Sequence, residues 1–180
     1  MCGPGGRRPG GKSCPGERAD HGLGRSRGGF SSKLHLVCDG GGVPLAVLVT
    51  AGQAHESAHL EAVLERVRLK RPGPGRPRTR PAKLAGDKGY SHPRIRRHLR
   101  SRGIVPVIPR RADQRPGDGR GWFDRAAYRR RNVVERCAGW RKENRRLATR
   151  HEKLAGNFQA MAVLAMIRLC LRKLDSPDRT

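Results

Sequence analysis

Residues 34–65 contain no lysine or arginine, although 40 of the chain's 180 residues are basic. Two stretches in and beside this segment have strand patterns. Residues 33–38 alternate polar and apolar side chains, and residues 44–50 are a continuous apolar run. Asp39 and three glycines join them, which is typical of a tight turn, so the pattern predicts a hairpin. A helix at residues 57–67 should follow, with one apolar face formed by Leu60, Val63, Leu64 and Val67.

The elements predicted beyond residue 67 are shorter and richer in arginine. They are a strand at 83–86, a helix capped by Ser91 with Pro93 in its first turn, a strand at 104–108, a helix at 124–150 and a helix at 152–174. This order predicts an α/β fold with helices packed on one mixed sheet. Residues 1–29 are predicted to be disordered, residues 71–78 to form a loop, and residues 175–180 to form a tail.

The charge of the chain indicates its class of partner. Its 40 basic and 15 acidic residues give a net charge of +25, which repels itself unless a polyanion binds, so we expect nucleic acid. Aromatic residues make up only 4%, too few for recognition mainly by base stacking. The longest apolar run, residues 161–167, is too short to cross a bilayer, and no membrane partner is expected. Five scattered cysteines argue against a disulfide framework or zinc ribbon and favour a cytoplasmic setting.

Two acidic residues stand out from this basic background. Asp87 is the single acid among residues 66–111, which carry 16 basic residues. Glu135 lies in the spacing Y-x2-R-x3-E-x6-K, which it forms with Tyr128, Arg131 and Lys142. On a continuous helix these four side chains would share one face, which suits a metal-held carboxylate beside cations that bind phosphates. An ordinary ion pair between residues four apart on a solvated helix explains the spacing equally well.

Several motifs, in the same order along the chain, resemble those of bacterial insertion-sequence transposases of the DDE class, in the branch with the Y-R-E-K signature. They are residues 24–35 (GRSRGGFSSKLH), residues 71–78 (RPGPGRPR), residues 87–90 (DKGY) and residues 130–136 (RRNVVER). The resemblance covers about residues 18–174. It implies a ribonuclease-H-like fold and a triad of two Asp and one Glu that holds two divalent ions, Mg²⁺ or Mn²⁺, to cleave and join DNA strands.

By that resemblance Asp87 is the second Asp of the triad and Glu135 is its Glu, and both are expected to be catalytic metal ligands. Arg131 and Lys142 would hold phosphates of double-stranded DNA at the element ends and target, and Tyr128 would position the helix or touch the strand. Arg76 and Arg78, in the loop before Asp87, would also contact DNA. The alternative for these two arginines is a stiff linker whose side chains stay solvated.

The resemblance puts the first Asp on a strand just before the hairpin, and no such strand is found there. Asp20 is the only upstream Asp, and Asp39 has the ordinary explanation of a turn residue. We therefore expect residues 30–174 to be a partial catalytic domain, truncated at its N-terminus and inactive unless fused to an upstream frame. Three alternatives stay open: a non-catalytic DNA-binding remnant, a modulator that poisons full-length transposase by binding its DNA ends or its dimer, and a basic RNA-binding protein. The chain is expected in the cytoplasm at the nucleoid, where it could associate with itself or with full-length transposase.

The remaining patterns have ordinary structural explanations. His55, Glu56 and His59 match the H-E-x-x-H zinc pattern, but they fall at the start of a helix with no third ligand after them, and a helix cap explains them better. The arginines of the short helix that starts at Ser91 are expected on a solvated or phosphate-facing surface: Arg94, Arg96, Arg97, Arg100 and Arg102. Packing roles are expected for Trp122, Trp140, Phe158, Met161, Leu164 and Leu169.

Overall fold

The structure, a computed structural model, describes residues 21–26, 29–112 and 123–175. Its strands are β1 (Gly24–Ser26), β2 (Gly29–Cys38), β3 (Pro44–Ala51), β4 (Lys83–Ala85) and β5 (Val105–Val107). Its helices are α1 (Glu56–Glu65), α2 (Pro93–Ser101), α3 (Arg125–Arg130), α4 (Val133–Glu143), α5 (Arg145–Ala148) and α6 (Ala155–Leu174), with a 3₁₀ turn at Lys88–Tyr90. The expected α/β composition is confirmed. The predictions for residues 1–20, Trp122 and residues 176–180 lie outside the described residues.

The predicted hairpin is confirmed. Strands β2 and β3 pair antiparallel, from Ser32 opposite Ala51 to Cys38 opposite Pro44. The turn depends on Asp39, whose Oδ1 accepts hydrogen bonds from the backbone N–H groups of Gly41 (2.9 Å) and Val43 (2.8 Å). Asp39 is thus a turn residue, which is the ordinary explanation that its sequence context favoured.

The hairpin begins earlier than the sequence predicted. Residues 24–26 and Gly29, which the pattern assigned to a disordered segment, form β1 and the first residue of β2, with Gly24 opposite Ser31. The Ser26 hydroxyl also donates to the Gly29 carbonyl at 3.0 Å, between the two residues that end this pair of strands. The prediction of disorder rested on the low apolar content of this segment. It is wrong for these residues because their structure comes from backbone pairing between β1 and β2.

In the described residues the strands form two small sheets and not one mixed sheet. The order is β1-β2-β3 in the antiparallel sheet, and β4 pairs with β5 in parallel. The apolar patterns at residues 33–38, 44–50, 83–86 and 104–108 predicted strands, but the sequence did not indicate which strand pairs with β4. The two sheets share one core, because Leu84 of β4 and Tyr90 pack against the cluster that contains Ala46 of β3.

Helices cover both faces of the hairpin. On one face Ala46 belongs to an apolar cluster with Leu64 of α1 and with side chains of α2. On the other face Val47, its neighbour, belongs to a second cluster with Trp140 of α4 and Phe158 of α6. Because successive strand residues point to opposite faces, the continuous apolar run of β3 fills both clusters. The hairpin is the central layer between two layers of helices.

The predicted helix at 124–150 is wrong as a single element. It is divided into α3, α4 and α5, with breaks at Arg131–Asn132 and at Asn144. The first break follows three consecutive arginines at 129–131, whose charges repel, and falls at Asn132, a weak helix former. At the second break the Asn144 side chain donates to the Trp140 carbonyl at 2.7 Å, which competes with continuation of the helix.

Some predicted side-chain environments are confirmed and others are wrong. Trp140 (4% exposed) and Phe158 (3%) are in the core, as expected. Leu164 is 58% exposed, because it lies about 200° around α6 from the fully buried Ala162. The N-cap of α2 is His92, whose Nδ1 accepts from the Arg94 N–H, and not Ser91.

None of the helices in the described ranges is long and apolar enough to cross a membrane.

Candidate active site and nucleic-acid interface

Asp87 lies one residue beyond the end of the β4 pairing. The parallel pair of β4 and β5 extends to Gly86, whose N–H donates to the Val107 carbonyl at 3.3 Å. Asp87 then caps the 3₁₀ turn, and its Oδ1 accepts from the Gly89 N–H at 2.8 Å. Its side chain is exposed at the C-terminal end of parallel strands, which is where α/β sheets usually place their functional groups. The prediction that Asp87 directly follows a short strand is confirmed.

Glu56 is a second carboxylate at the same place, and the sequence did not connect it with Asp87. A β-carbon built on Gly89 would lie 2.9 Å from Asp87 Oδ1 and 2.9 Å from Glu56 Oε2, so both carboxylates converge on this glycine. Glu56 Oε1 also pairs with Lys33 Nζ at 3.4 Å, and Lys33 donates to the Ala54 carbonyl at 3.0 Å. The only sequence signal was the position of Glu56 in the first turn of a helix that follows β3.

Tyr90 lies near both carboxylates, Glu56 and Asp87. Burial, and then the negative charges of Glu56 and Asp87, raise the pKa of the Tyr90 hydroxyl far above its usual range. The phenol therefore stays protonated over the whole working pH range. It can donate a hydrogen bond but cannot serve as a base.

The H-E-x-x-H pattern forms no zinc site here. His55 caps α1, and its Nδ1 accepts from the backbone N–H of Ser57 at 3.3 Å. The second histidine of the pattern, His59, packs against His35 with ring centroids 5.2 Å apart. The glutamate of the pattern, Glu56, forms an ion pair with Lys33. The helix-cap explanation accounts for the pattern.

Tyr128, Arg131 and Glu135 are brought together, although on two helices. Arg131 ends α3, and its Nη2 donates to Glu135 Oε1 in the first turn of α4 at 2.9 Å. The Arg131 guanidinium also lies over the Tyr128 ring, 5.7 Å from its centroid. Lys142 is exposed near the far end of α4, seven residues beyond Glu135. The face of four residues expected on one continuous helix is therefore shortened to a cluster of three.

Asp87 and Glu135 have different neighbours in the described residues. Asp87 Oδ1 and Glu56 Oε2 both converge on Gly89. Glu135 pairs with Arg131, which in turn lies over the Tyr128 ring.

A divalent metal site is therefore not formed by these carboxylates as they are arranged. Asp87 Oδ1 is occupied in capping its turn and Glu135 Oε1 in pairing with Arg131. Across residues 21–26, 29–112 and 123–175, no three His, Cys, Asp or Glu side chains are grouped closely enough to hold an ion. A pair of hard cations needs more oxygen ligands than either carboxylate supplies alone.

Arg76 and Arg78 lie in an exposed loop that is closed at its base. Leu69 and Arg78 exchange two backbone hydrogen bonds, at 2.9 and 2.7 Å, and these join the two ends of the loop. Gly73 (φ 89°) and Gly75 (φ 133°) adopt backbone conformations that favour glycine. The loop therefore presents both arginines to solvent, which is compatible with either expectation for them.

Arg96 is an exception among the arginines of α2. It is 8% exposed, and its Nη2 donates to Ser91 Oγ, to the Ile108 carbonyl (2.8 Å) and to the Pro109 carbonyl. The expectation of a solvated or phosphate-facing side chain is wrong for this residue, because its guanidinium fastens the chain leaving β5. Two residues further on, the Arg111 Nε donates to the Lys88 carbonyl at 3.1 Å, so this chain segment also contacts the turn after Asp87.

Comparison with known proteins gives a consistent result. Residues 4–170 match the profile of a family described as the transposase DDE domain. Over 149 residues the chain is 35% identical to a protein of Burkholderia cepacia described as a transposase for insertion sequence element IS402, covering 83% of this chain and 67% of that relative. No solved structure matches the chain.

Proposed function

The chain belongs to the DDE-class insertion-sequence transposases, and we propose that it binds element DNA and contributes Asp87 and Glu135 to a catalytic centre that it does not assemble alone. Transposases of this class act on DNA and generally use divalent metal ions. The observation that carries the proposal is the exposed Asp87 carboxylate at the end of β4, within the matched region and beside Lys88.

The proposed reaction is cleavage and transfer of DNA strands at insertion-sequence ends. In it a phosphodiester is hydrolysed, and the free 3′-hydroxyl then attacks a target phosphodiester. The side chains that we assign to DNA are Tyr128, Arg131, Lys142, Arg76 and Arg78. Arginine suits this role because its planar guanidinium binds phosphate oxygens through two parallel hydrogen bonds.

We further propose that residues 30–174 form a ribonuclease-H-like domain of the Y-R-E-K branch. The layered arrangement supports this, since an antiparallel hairpin lies between helices and a parallel pair follows it. In such a fold the strand that carries a further Asp would pair beside β2, and this would join the two small sheets into one.

The ion that we propose for the complete centre is Mg²⁺, with Mn²⁺ as a substitute, because carboxylate oxygens are hard ligands. The described arrangement does not fit such an ion, because Asp87 Oδ1 caps its turn and Glu135 Oε1 pairs with Arg131. Glu135 would first have to leave Arg131 to become a ligand.

A strand-cleavage assay on duplexes that carry element ends tests the proposal. The chain alone should bind the duplex and yield no product with Mg²⁺ or Mn²⁺. The same chain, translated in fusion with the reading frame upstream of its gene, should yield nicked or joined product that Asp87→Ala abolishes. Product from the fusion that survives Asp87→Ala would contradict the role of this carboxylate.

In the described residues no three potential metal ligands are grouped, which favours a second candidate, a non-catalytic DNA-binding remnant or a modulator of full-length transposase. A modulator would compete for element ends or associate with the active enzyme. Added to an active full-length transposase of the same element, this chain should then lower product yield in proportion to its concentration. An unchanged yield at saturating DNA occupancy would exclude the modulator.

A further inference from the structure

The outward side of α6 is apolar along nearly its whole length. Seven exposed residues of this helix fall within about 100° of its circumference, and none of them is polar. We call them the outer face of α6: Gly156, Ala160, Val163, Leu164, Ile167, Leu171 and Leu174. The five large side chains of the outer face are 40% to 75% exposed.

The inward side of the same helix is already packed. Phe158, Ala162 and Met166 belong to the apolar cluster that contains Val47 of the hairpin, and they lie on the opposite side of α6 from the outer face. The outer face is therefore not used by the core among the described residues. A continuous exposed apolar surface of this kind is uncommon on monomeric proteins and is typical of a contact with another protein.

The side chains of the outer face change in size along the helix. Its N-terminal part has Gly156 and Ala160, and a β-carbon built on Gly156 would meet nothing within 4 Å. Its C-terminal part has Leu171 and Leu174. If two copies pair antiparallel about a twofold axis at the middle of α6, the leucines of each copy lie over the small residues of the other. A parallel pair would crowd leucine against leucine at one end and leave a gap at the other, which packs less well.

The charges at the C-terminal end of α6 fit the same arrangement. Asp175 caps the helix and is exposed, and in an antiparallel pair it would lie beside the N-terminus of the second copy's helix, where a negative charge is favourable. The neighbouring cations already interact within their own chain. Arg172 Nη2 pairs with Glu143 Oε2 at 2.8 Å, and Lys173 Nζ donates to the Gly41 carbonyl.

We propose that the outer face of α6 is a docking surface for a second copy of this chain, in an antiparallel twofold pair. The net charge of +25 on each copy opposes this pairing. Salt screens the repulsion and leaves the burial of apolar surface effective. Self-association should therefore strengthen as the salt concentration rises, whereas DNA binding should weaken. The proposal does not rest on the proposed function, and a measurement of mass without DNA tests it separately.

Sedimentation equilibrium of the full chain, stripped of nucleic acid, measures the dimer dissociation constant at a series of salt concentrations. Ile167→Glu, at the centre of the outer face, should raise this constant at least about tenfold, because pairing would bury a charge without a partner. Phe30→Glu is the matched control, since it makes the same change in charge at an apolar residue of β2 with similar exposure. It should leave the constant unchanged.

Disulfide cross-linking tests the orientation in a Cys170→Ser background. The double variant Ala160→Cys, Leu171→Cys should form, on mild oxidation, a disulfide between position 160 of one copy and position 171 of the other, which peptide mapping identifies. Cross-links between two positions 160 would overturn the antiparallel arrangement. A chain that stays monomeric at every salt concentration, or a dimer that Ile167→Glu leaves intact, would overturn the docking surface itself.

Discussion

His35 lies inside the hairpin face that packs against α1 and is 4% exposed, with its Nε2 2.8 Å from Thr50 Oγ1. Burial, with smaller contributions from the charges of His59 and Lys33, lowers the pKa of His35 from 6.5 to about 4. Between these values the unfolded chain binds a proton that the folded chain does not bind. The contribution of the neutral His35 side chain to the unfolding free energy is therefore fully present above about pH 6.5, and it is lost as the pH is lowered towards 4.

We expect this histidine to remove on the order of 1–3 kcal/mol of unfolding free energy between pH 7 and pH 4. Urea denaturation at a series of pH values measures the loss. His35→Gln keeps a polar contact to Thr50 without a group that titrates, so its stability should depend less steeply on pH. Equal pH dependence in the two proteins would show that His35 is not the titrating group.

Arg96 is the buried cation whose removal should cost the most. Arg96→Gln would leave the Ile108 carbonyl without its 2.8 Å partner. It would also remove the guanidinium that donates to the Pro109 carbonyl and to Ser91 Oγ. We expect a loss of about 2–4 kcal/mol in unfolding free energy, measured by chemical denaturation. Arg97→Gln, on the exposed side of the same helix, is the matched control and should change it by less than about 0.5 kcal/mol. Similar losses in the two variants would contradict the structural role.

Single-residue roles were predictable only where local chemistry determines them. Asp39 and Asp87 each satisfy backbone N–H groups two residues ahead, and their positions after a strand were visible in the sequence. Arg96 was misassigned and the ion pair of Glu56 was missed, because their partners Ile108 and Lys33 come from other elements. Without knowledge of strand pairing, no sequence pattern indicates these contacts.

Among the elements, the hairpin and α1 follow their patterns closely, and the helix around Glu135 does not. Apolar residues on both faces of β3 pack into the two clusters, and this fixes the position of the strand between the helices. From 124 to 150 the chain has helical propensity but many like charges and two asparagines. Charge repulsion and side-chain hydrogen bonds determine where such a helix breaks. The spacing of apolar residues, from which the helix was predicted, contains no information on either effect.

α6 offers a comparison of two apolar residues on opposite faces. Phe158 is 3% exposed and also lies under the Arg150 guanidinium, 5.0 Å from the ring centroid. Phe158→Ala should therefore reduce the unfolding free energy by about 3–5 kcal/mol, because it leaves a cavity in the core. Leu164→Ala, at a residue 58% exposed, should cost less than about 1 kcal/mol. Guanidinium denaturation measures both, and comparable losses would mean that the assigned face of α6 is wrong.

On the scale of the whole molecule, a net charge of +25 makes DNA binding strongly dependent on salt. Each phosphate contact contributes roughly one unit to the slope of log affinity against log salt concentration. The double variant Arg76→Gln, Arg78→Gln should lower the slope by roughly one to two units in fluorescence anisotropy with duplex DNA.

Arg172→Gln is the control for that measurement. It removes one positive charge, half of what the double variant removes, from a residue whose Nη2 already pairs with Glu143 at 2.8 Å. This variant should leave the slope nearly unchanged. A slope that falls equally in the control would show that the charge acts at a distance and that the 71–78 loop does not contact phosphates.

The central claim is that Asp87 and Glu135 serve one DNA-cleaving centre that this chain does not assemble alone. The most direct measurement incubates the 180-residue chain with an end-labelled duplex carrying an element end, with Mg²⁺ and with Mn²⁺, and resolves both the complexes and the strands. The account predicts a shifted complex in which the DNA strands remain uncut. Nicked or joined strands that disappear with Asp87→Ala would contradict it, because the lone chain would then hold a working centre.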